Sequence, residues 1–365
     1  MKAFSRILAL LLCVLLLIGA AGCGADTSWV SRYDGDEVPA GMYIQYLLLG
    51  YQEAENLYLE EKYTGADADE VWVYPSKSEL LASEIEGQNA ADWIVRQARD
   101  NIIQYYGAKA LAAEMNLSLG SSGIYSAATN TENYWGNYET YYTKNGVARS
   151  SLEQYFTADA LMIDLLNAIY GPQGSSEVPE RDLLQLLSKD YAKAGYVVLY
   201  KESAATDQED AEETARIDAQ NAQLKAQAEE YAQRLADGEA VVNLLFEYQL
   251  TNAAAGLNLP SQDQWELMLR IKDVEGGYYA LYDEILKAAP GSSGVVEEDY
   301  LFYVYYRYDL SNDTATMAAY RETLLLGLKG DEFKDMLLEK GNALDITMNE
   351  SAFSSYQPKN LTIES

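Results

Sequence analysis

Apolar residues recur three and four positions apart over long stretches of the first 170 residues, the spacing that gathers them on one face of a helix. The segment 40–63, opened by Pro39-Ala40, puts Ile44, Leu47, Leu48, Tyr51, Ala54 and Tyr58 on such a face. Ahead of it, Trp29-Val30-Ser31-Arg32-Tyr33 reads as a strand and Asp34-Gly35-Asp36-Glu37 as a turn. After a loop holding Trp72 and Pro75, a second amphipathic helix is predicted over 90–115, with Ala91, Ile94, Val95, Ala98, Ile102 and Tyr105 inward and Arg96, Arg99 and Asp100 outward. Residues 118–122 break it, the tyrosine-rich segments 133–142 and 151–170 resume helical spacing, and GPQGSS at 171–176 is a linker or long turn.

The rhythm changes at 177–201, EVPERDLLQLLSKDYAKAGYVVLYK. Ser176 is a candidate cap for a helix from Pro179 to Tyr191, Ala194-Gly195 a tight passage, and Tyr196-Val197-Val198-Leu199-Tyr200 a buried strand rich in β-branched and aromatic residues. Polar, acidic residues at 202–213 lead into an Ala/Gln/Glu-rich helix that ends near Ala236, with Gly238 placed to cap it. That helix lacks the sustained heptads of a coiled coil. A last strand is predicted at 300–306. Asn312-Asp313 then opens a long helix to about Lys340, carrying Met317, Tyr320, Leu324, Leu328, Met336 and Leu337, with Gly327 and Gly330 as points of interruption. A tail with Ile346, Phe353 and Tyr356-Gln357-Pro358 follows. The pattern is that of a mainly α protein with a small α+β insert.

The first residues change the picture of where such a protein works. Lys2 and Arg6 precede the apolar run 7–18 (ILALLLCVLLLI), which is too short to span a bilayer and has the form of a secretory leader over 1–22. Its end, Ala20-Ala21-Gly22-Cys23, resembles the lipobox of bacterial lipoproteins, with Ala20 in place of the usual Leu. That resemblance implies that Cys23 is acylated, that 23–28 is a tether, and that the protein is exported and anchored on the extracytoplasmic face of the membrane. A plain secreted protein cut near Gly22 is the alternative. Cys13 and Cys23 are the only cysteines, so the mature body holds no disulfide. Losing Lys2 and Arg6 with the leader takes the net charge from −31 to −33, which repels nucleic acid and anionic lipid alike and leaves lipid as the anchor.

With 365 residues and 48% apolar content the chain can build two or three domains. Having no histidine, it has no Ser-His-Asp, Cys-His or HExxH site, so Gly291-Ser292-Ser293-Gly294 is a loop. There is no phosphate-binding loop or dinucleotide fingerprint, and no cofactor is called for. With 57 acidic residues, paired carboxylates arise by chance and Asp34 with Asp36 is a solvated turn, so no metal ligand is assigned.

The order of landmarks over 196–309 is similar to that of a parvulin: the strand YVVLY at 196–200, the helix and Gly-Glu turn of 228–248, the helix and Pro-Gly turn of 281–296, and the strand 300–306. With the strand, turn and VPAGMYIQYLLL helix at the start, the chain resembles SurA-like and PrsA-like extracytoplasmic foldases. The resemblance implies a SurA-type helical chaperone module over 29–191, a parvulin-type peptidyl-prolyl isomerase insert over 192–311, and a C-terminal segment 312–361 that returns to the N-terminal helices. It also implies unfolded or secreted polypeptides as partners and leaves a homodimer open. The insert departs from the family at its chemistry. The two family histidines fall on Tyr196 and on Phe302 or Tyr303; the middle position falls within 250–254, which has neither acid nor thiol; the Gly-Gly pair becomes Ala255-Gly256. No catalytic residue is therefore assigned, and Tyr196, Phe246, Leu281, Phe302 and Tyr303 are expected to form a peptide-binding wall. An isomerase that still works and a solute-binding lipoprotein are the alternatives; the latter needs strands and helices alternating around a parallel sheet, which the helical stretches before Gly171 lack.

Overall fold

The computed structural model describes residues 28–63, 72–203, 211–252, 261, 264–274 and 279–363. The leader, Cys23 and Ala255-Gly256 lie outside them. The chain is mainly α, with thirteen helices and nine strands among the described residues. It divides into two compact units: one takes the described residues up to 177 and those from 329 onward, the other takes 178–328.

In the first unit β1 (Trp29–Tyr33) and β2 (Asp36–Pro39) form a hairpin whose two loop residues, Asp34 and Gly35, both have positive φ (49° and 81°), the turn that Asp-Gly favours. Helix α1 (Ala40–Lys62) follows at once. Its predicted stripe is inside, but its first nine residues are buried on every side, because β1, two further helices and the end of the chain surround it. Next come α2 (Lys77–Ala82), started by a capping box of Ser76 and Glu79, and the short hairpin β3 (Glu84–Ile85) and β4 (Gln88–Asn89). Helices α3 (Ala90–Glu114), α4 (Ser121–Lys144) and α5 (Arg149–Tyr170) complete the N-terminal part, and α4 leaves helical angles at Tyr138 (φ −130°, ψ 21°).

The second unit opens with α6 (Glu180–Asp190), so it starts before the expected boundary at 192. Pro179, not Ser176, occupies the cap position, and no side chain caps this helix. Strand β5 (Tyr191–Tyr200) is twice as long as the stretch 196–200, and Ala194-Gly195 lies inside it, not in a turn. Glycine is required there, since a Cβ on Gly195 would sit 2.9 Å from both the Tyr308 hydroxyl and the Val241 side chain. Then follow α7 (Ala211–Ala236), α8 (Val241–Asn252), β6 (Glu266–Arg270), which the periodicity did not show, α9 (Ile271–Val274), α10 (Ala280–Lys287), β7 (Ser292–Glu297) and β8 (Leu301–Arg307). The sheet order is β6-β5-β8-β7 and every pairing is antiparallel. No parallel sheet of a solute-binding lipoprotein occurs among the described residues.

The predicted last helix is two: α11 (Thr314–Ala319), capped by the Asp313 carboxylate on the Thr316 N–H, and α12 (Arg321–Asn342), separated at Tyr320. Gly327 and Gly330 do not interrupt α12. Residues from 329 on belong to the first unit, where β9 (Thr347–Met348) pairs antiparallel with β1 and α13 (Glu350–Ser355) sets Phe353 edge-on to Tyr43, ring centroids 4.8 Å apart. The tail is pinned beyond that: Asn145 and Thr362 exchange two hydrogen bonds of 2.8 and 3.0 Å, and Lys77 Nζ donates to the Leu361 carbonyl.

Candidate functional site

Successive residues of a strand point to opposite faces of the sheet, and this decides what becomes of the expected peptide-binding wall. On one face of the four-stranded sheet Val197, Leu199, Phe302 and Val304 pack under α7 and α8, against Ala228, Tyr231, Leu235, Val241 and Leu244. On the other face Ala192, Ala194, Leu269, Val296 and Tyr305 pack with Leu281 and Ile285 of α10, and Tyr196, Tyr282 and Tyr303 border them. Tyr196, Leu281 and Tyr303 thus come together. Phe302 does not: it is buried in the core of the opposite side, and Phe246, half exposed on α8, is also away from them. Phe302 and Tyr303 are neighbours in one strand and so cannot line one pocket.

The face that remains is a tyrosine cluster. The rings of Tyr196 and Tyr303 meet edge to face at 6.0 Å, and Tyr279 and Tyr282 lie 5.1 Å apart. Tyr196 Oη donates to the Gln264 carbonyl at 3.0 Å and Tyr305 Oη to the Glu284 carbonyl at 3.3 Å. Burial, and next the neighbouring phenols and acids, push the Tyr196, Tyr303 and Tyr305 hydroxyls up from their ordinary value near 10. These groups stay protonated at neutral pH and can donate hydrogen bonds. They cannot trade a proton as linked imidazoles do.

The first unit carries two open clefts that sequence reading did not find. One, of about 580 Å³, runs between the C-terminal half of α3, the 115–120 connection and α5; Ala112, Leu117, Leu119 and Leu161 give it an apolar lining, with Lys109 and Gln154 at its edge. Tyr105, in its wall, donates to Asp36 Oδ2 at 2.7 Å, and Lys109 Nζ reaches the same oxygen at 2.7 Å. Asp36 therefore fastens the first hairpin to α3. The other cleft, about 440 Å³, lies between α1 and α4 and is lined by Leu48, Tyr51, Tyr134, Tyr138, Tyr141 and Tyr142, with Gln45, Gln52 and Glu55. The only sequence signal for it was the excess of tyrosine near 133–142, which periodicity alone assigns to a core.

No group of three or more His, Cys, Asp or Glu able to hold a metal occurs among the described residues, and none of their helices is long and apolar enough to cross a membrane.

No protein-family model matches the chain, and no curated protein matches it. Among solved structures it is similar to PrsA from Bacillus subtilis (12% identity, 68% of this chain and 83% of that one, TM-score 0.33). It is similar also to foldase protein PrsA from Streptococcus pneumoniae (11% identity, 75% and 96%, TM-score 0.34) and to foldase protein PrsA from Lactococcus lactis (10% identity, 90% and 97%, TM-score 0.32). Values of this size do not carry a function over, so what the protein does has to come from its own residues.

Proposed function

We propose that the protein is a non-catalytic folding factor that binds unfolded polypeptides outside the cytoplasm, held to the membrane by a lipid on Cys23. The observation that carries this reading is the pair of open clefts in the first unit, lined by aliphatic and aromatic side chains with few charges. Surfaces of this kind hold exposed apolar segments of other chains. Residues 178–328 are, on this reading, a parvulin-like unit that has lost its isomerase chemistry. The barrier to rotation about the peptide bond is about 18–20 kcal/mol, and among the described residues the tyrosine face offers only neutral phenols to lower it.

Two assays on the mature protein test the reading. It is expected to suppress aggregation of a refolding client at near-stoichiometric concentration and to leave a proline-limited refolding rate unchanged at catalytic concentration. Failure in the first would remove the folding-factor role, and acceleration in the second would restore the isomerase.

The anchor has its own test, motivated by the leader and the lipobox-like sequence before Cys23. Cys23→Ala is expected to move the protein from the membrane fraction to the medium or to leave the leader uncleaved. Normal processing with unchanged membrane fractionation would overturn the assignment.

A further inference from the structure

We infer that the cleft between α1 and α4 selects extended polypeptide segments that carry lysine or arginine next to an apolar or aromatic residue. This rests on the folding-factor reading and assigns it a site and a preference. Three features of the cleft point there. Its walls present the rings of five tyrosines, Tyr51, Tyr134, Tyr138, Tyr141 and Tyr142, and the faces of such rings attract cations as well as apolar side chains. Tyr138, where α4 leaves helical geometry, is 53% exposed and presents part of its ring to the cleft.

Charge is the second feature. Apart from the tyrosines the only ionisable group lining the cleft among the described residues is Glu55, with no lysine or arginine among them. Glu55 makes no ion pair among the described residues, and burial alone pushes its carboxyl up. A cation entering the cleft would relieve that desolvated carboxylate. The net charge, −31 for the full chain and −33 without the leader, adds a long-range pull on the same kind of segment.

The third feature is the side chain of Gln45. It lines the cleft, is only 6% exposed, and its Oε1 has no hydrogen-bond partner among the described residues. A buried carbonyl without a donor is costly and uncommon in a native protein. An extended peptide brings a backbone N–H at every residue, and an N–H entering here would complete Gln45 as the ring faces take up its side chains. A small free cation would satisfy Glu55 but leave most of the 440 Å³ unfilled.

The test uses the full mature chain and fluorescence anisotropy with two labelled ten-residue peptides of equal apolar content, one alternating Arg with Leu and Tyr, the other with Glu in place of Arg. The wild type is expected to bind the cationic peptide at least about tenfold more tightly than the acidic one. Tyr138→Ala, at an exposed position, and Glu55→Gln are each expected to weaken the cationic peptide about five- to tenfold, while Tyr125→Ala, exposed and outside the cleft, leaves it unchanged. Equal affinity for both peptides, or wild-type affinity in Tyr138→Ala and Glu55→Gln together, would overturn the inference. If aggregation suppression persists in that case, only the cleft assignment fails; if the protein neither binds a peptide nor suppresses aggregation, the folding-factor reading fails with it.

Discussion

Replacing Arg307 with methionine is expected to destabilise the 178–328 unit by about 1–3 kcal/mol, the net cost of leaving the buried carbonyls of one helix end without their donor. Arg307 is the most deeply buried arginine side chain of the sheet, 9% exposed at the end of β8. Its Nη1 donates to the carbonyls of Ile285, Leu286 and Ala288, at 3.0, 2.8 and 2.6 Å. These are the last carbonyls of α10 and the residue after it, which an α-helix leaves without partners. The guanidinium thus both caps the helix and sets a positive charge against the negative end of its dipole. No carboxylate accompanies it among the described residues. Burial draws its pKa down, but a guanidinium stays charged at any working pH. Methionine would fill much of the volume and leave three carbonyls facing apolar side chains, each unmet group costing about 1–3 kcal/mol before water or local movement recovers part of it. Arg307→Lys, which keeps the charge and its N–H donors on a shorter side chain, should lie in between. Hydrogen exchange of the β5 and β8 amides is the readout. Protection as in the wild type in Arg307→Met would show that α10 is held without the guanidinium.

An equally large loss is expected from a single methyl group in the first unit. Gly107 in α3 and Gly341 in α12 lie where the two helices meet. A Cβ on Gly107 would fall well inside contact distance of the Leu337 carbonyl oxygen, and one on Gly341 inside that of the Ile103 carbonyl oxygen. In both cases the obstacle is helix backbone, which cannot swing aside as a side chain does. Glycine to alanine within a helix ordinarily stabilises by about 1 kcal/mol. Here the sign reverses, because the helices must separate, and overpacking of this kind costs about 1–3 kcal/mol or more. Gly107→Ala and Gly341→Ala should each lower the urea midpoint of the first unit, and the double variant should lose less than the sum, since one separation makes room for both. Gly136→Ala in α4, with nothing within 4 Å of the new methyl, is the control and should be neutral or stabilising. If the three variants behave alike, the close approach of α3 and α12 does not exist in solution.

The helices were legible where an apolar stripe alternates with charge. Helix α3 shows this best, with Arg96, Arg99 and Asp100 opposite Ile94, Ala98 and Ile102. The strands at 29–33 and 300–306 were legible from β-branched and aromatic content. Small residues hid the rest. Ala194-Gly195 looks like a tight turn, yet it is strand, and at Gly195 Val241 and Tyr308 leave no room for a Cβ. The break at Tyr320 left no mark in the periodicity, since apolar residues continue on both sides of it. At the expected peptide-binding wall, alternation in β8 was enough to show that Phe302 and Tyr303 face apart, and the parvulin resemblance drew them together. The cleft between α1 and α4 could not be read at all: a stripe of tyrosines says that a helix has a face, and only the fold shows that Tyr138 is left half exposed.

The pairing of β1 with β9 bears on the order in which the molecule is made. Ser31 lies opposite Met348, Asn349 donates to the carbonyls of Val30 and Trp29, and the Ser28 and Tyr356 hydroxyls meet across 328 residues of sequence. Synthesis delivers β1 and the apolar α1 first and their covering strand last. The four-stranded unit needs only what lies between Tyr191 and Arg307 for its pairings, so it can finish while the first unit still waits. Contacts of such separation form slowly, and a chain held in that interval shows its apolar surfaces to others. The molecule therefore passes through a long unfinished state of its own, with Tyr43 uncovered until Phe353 arrives.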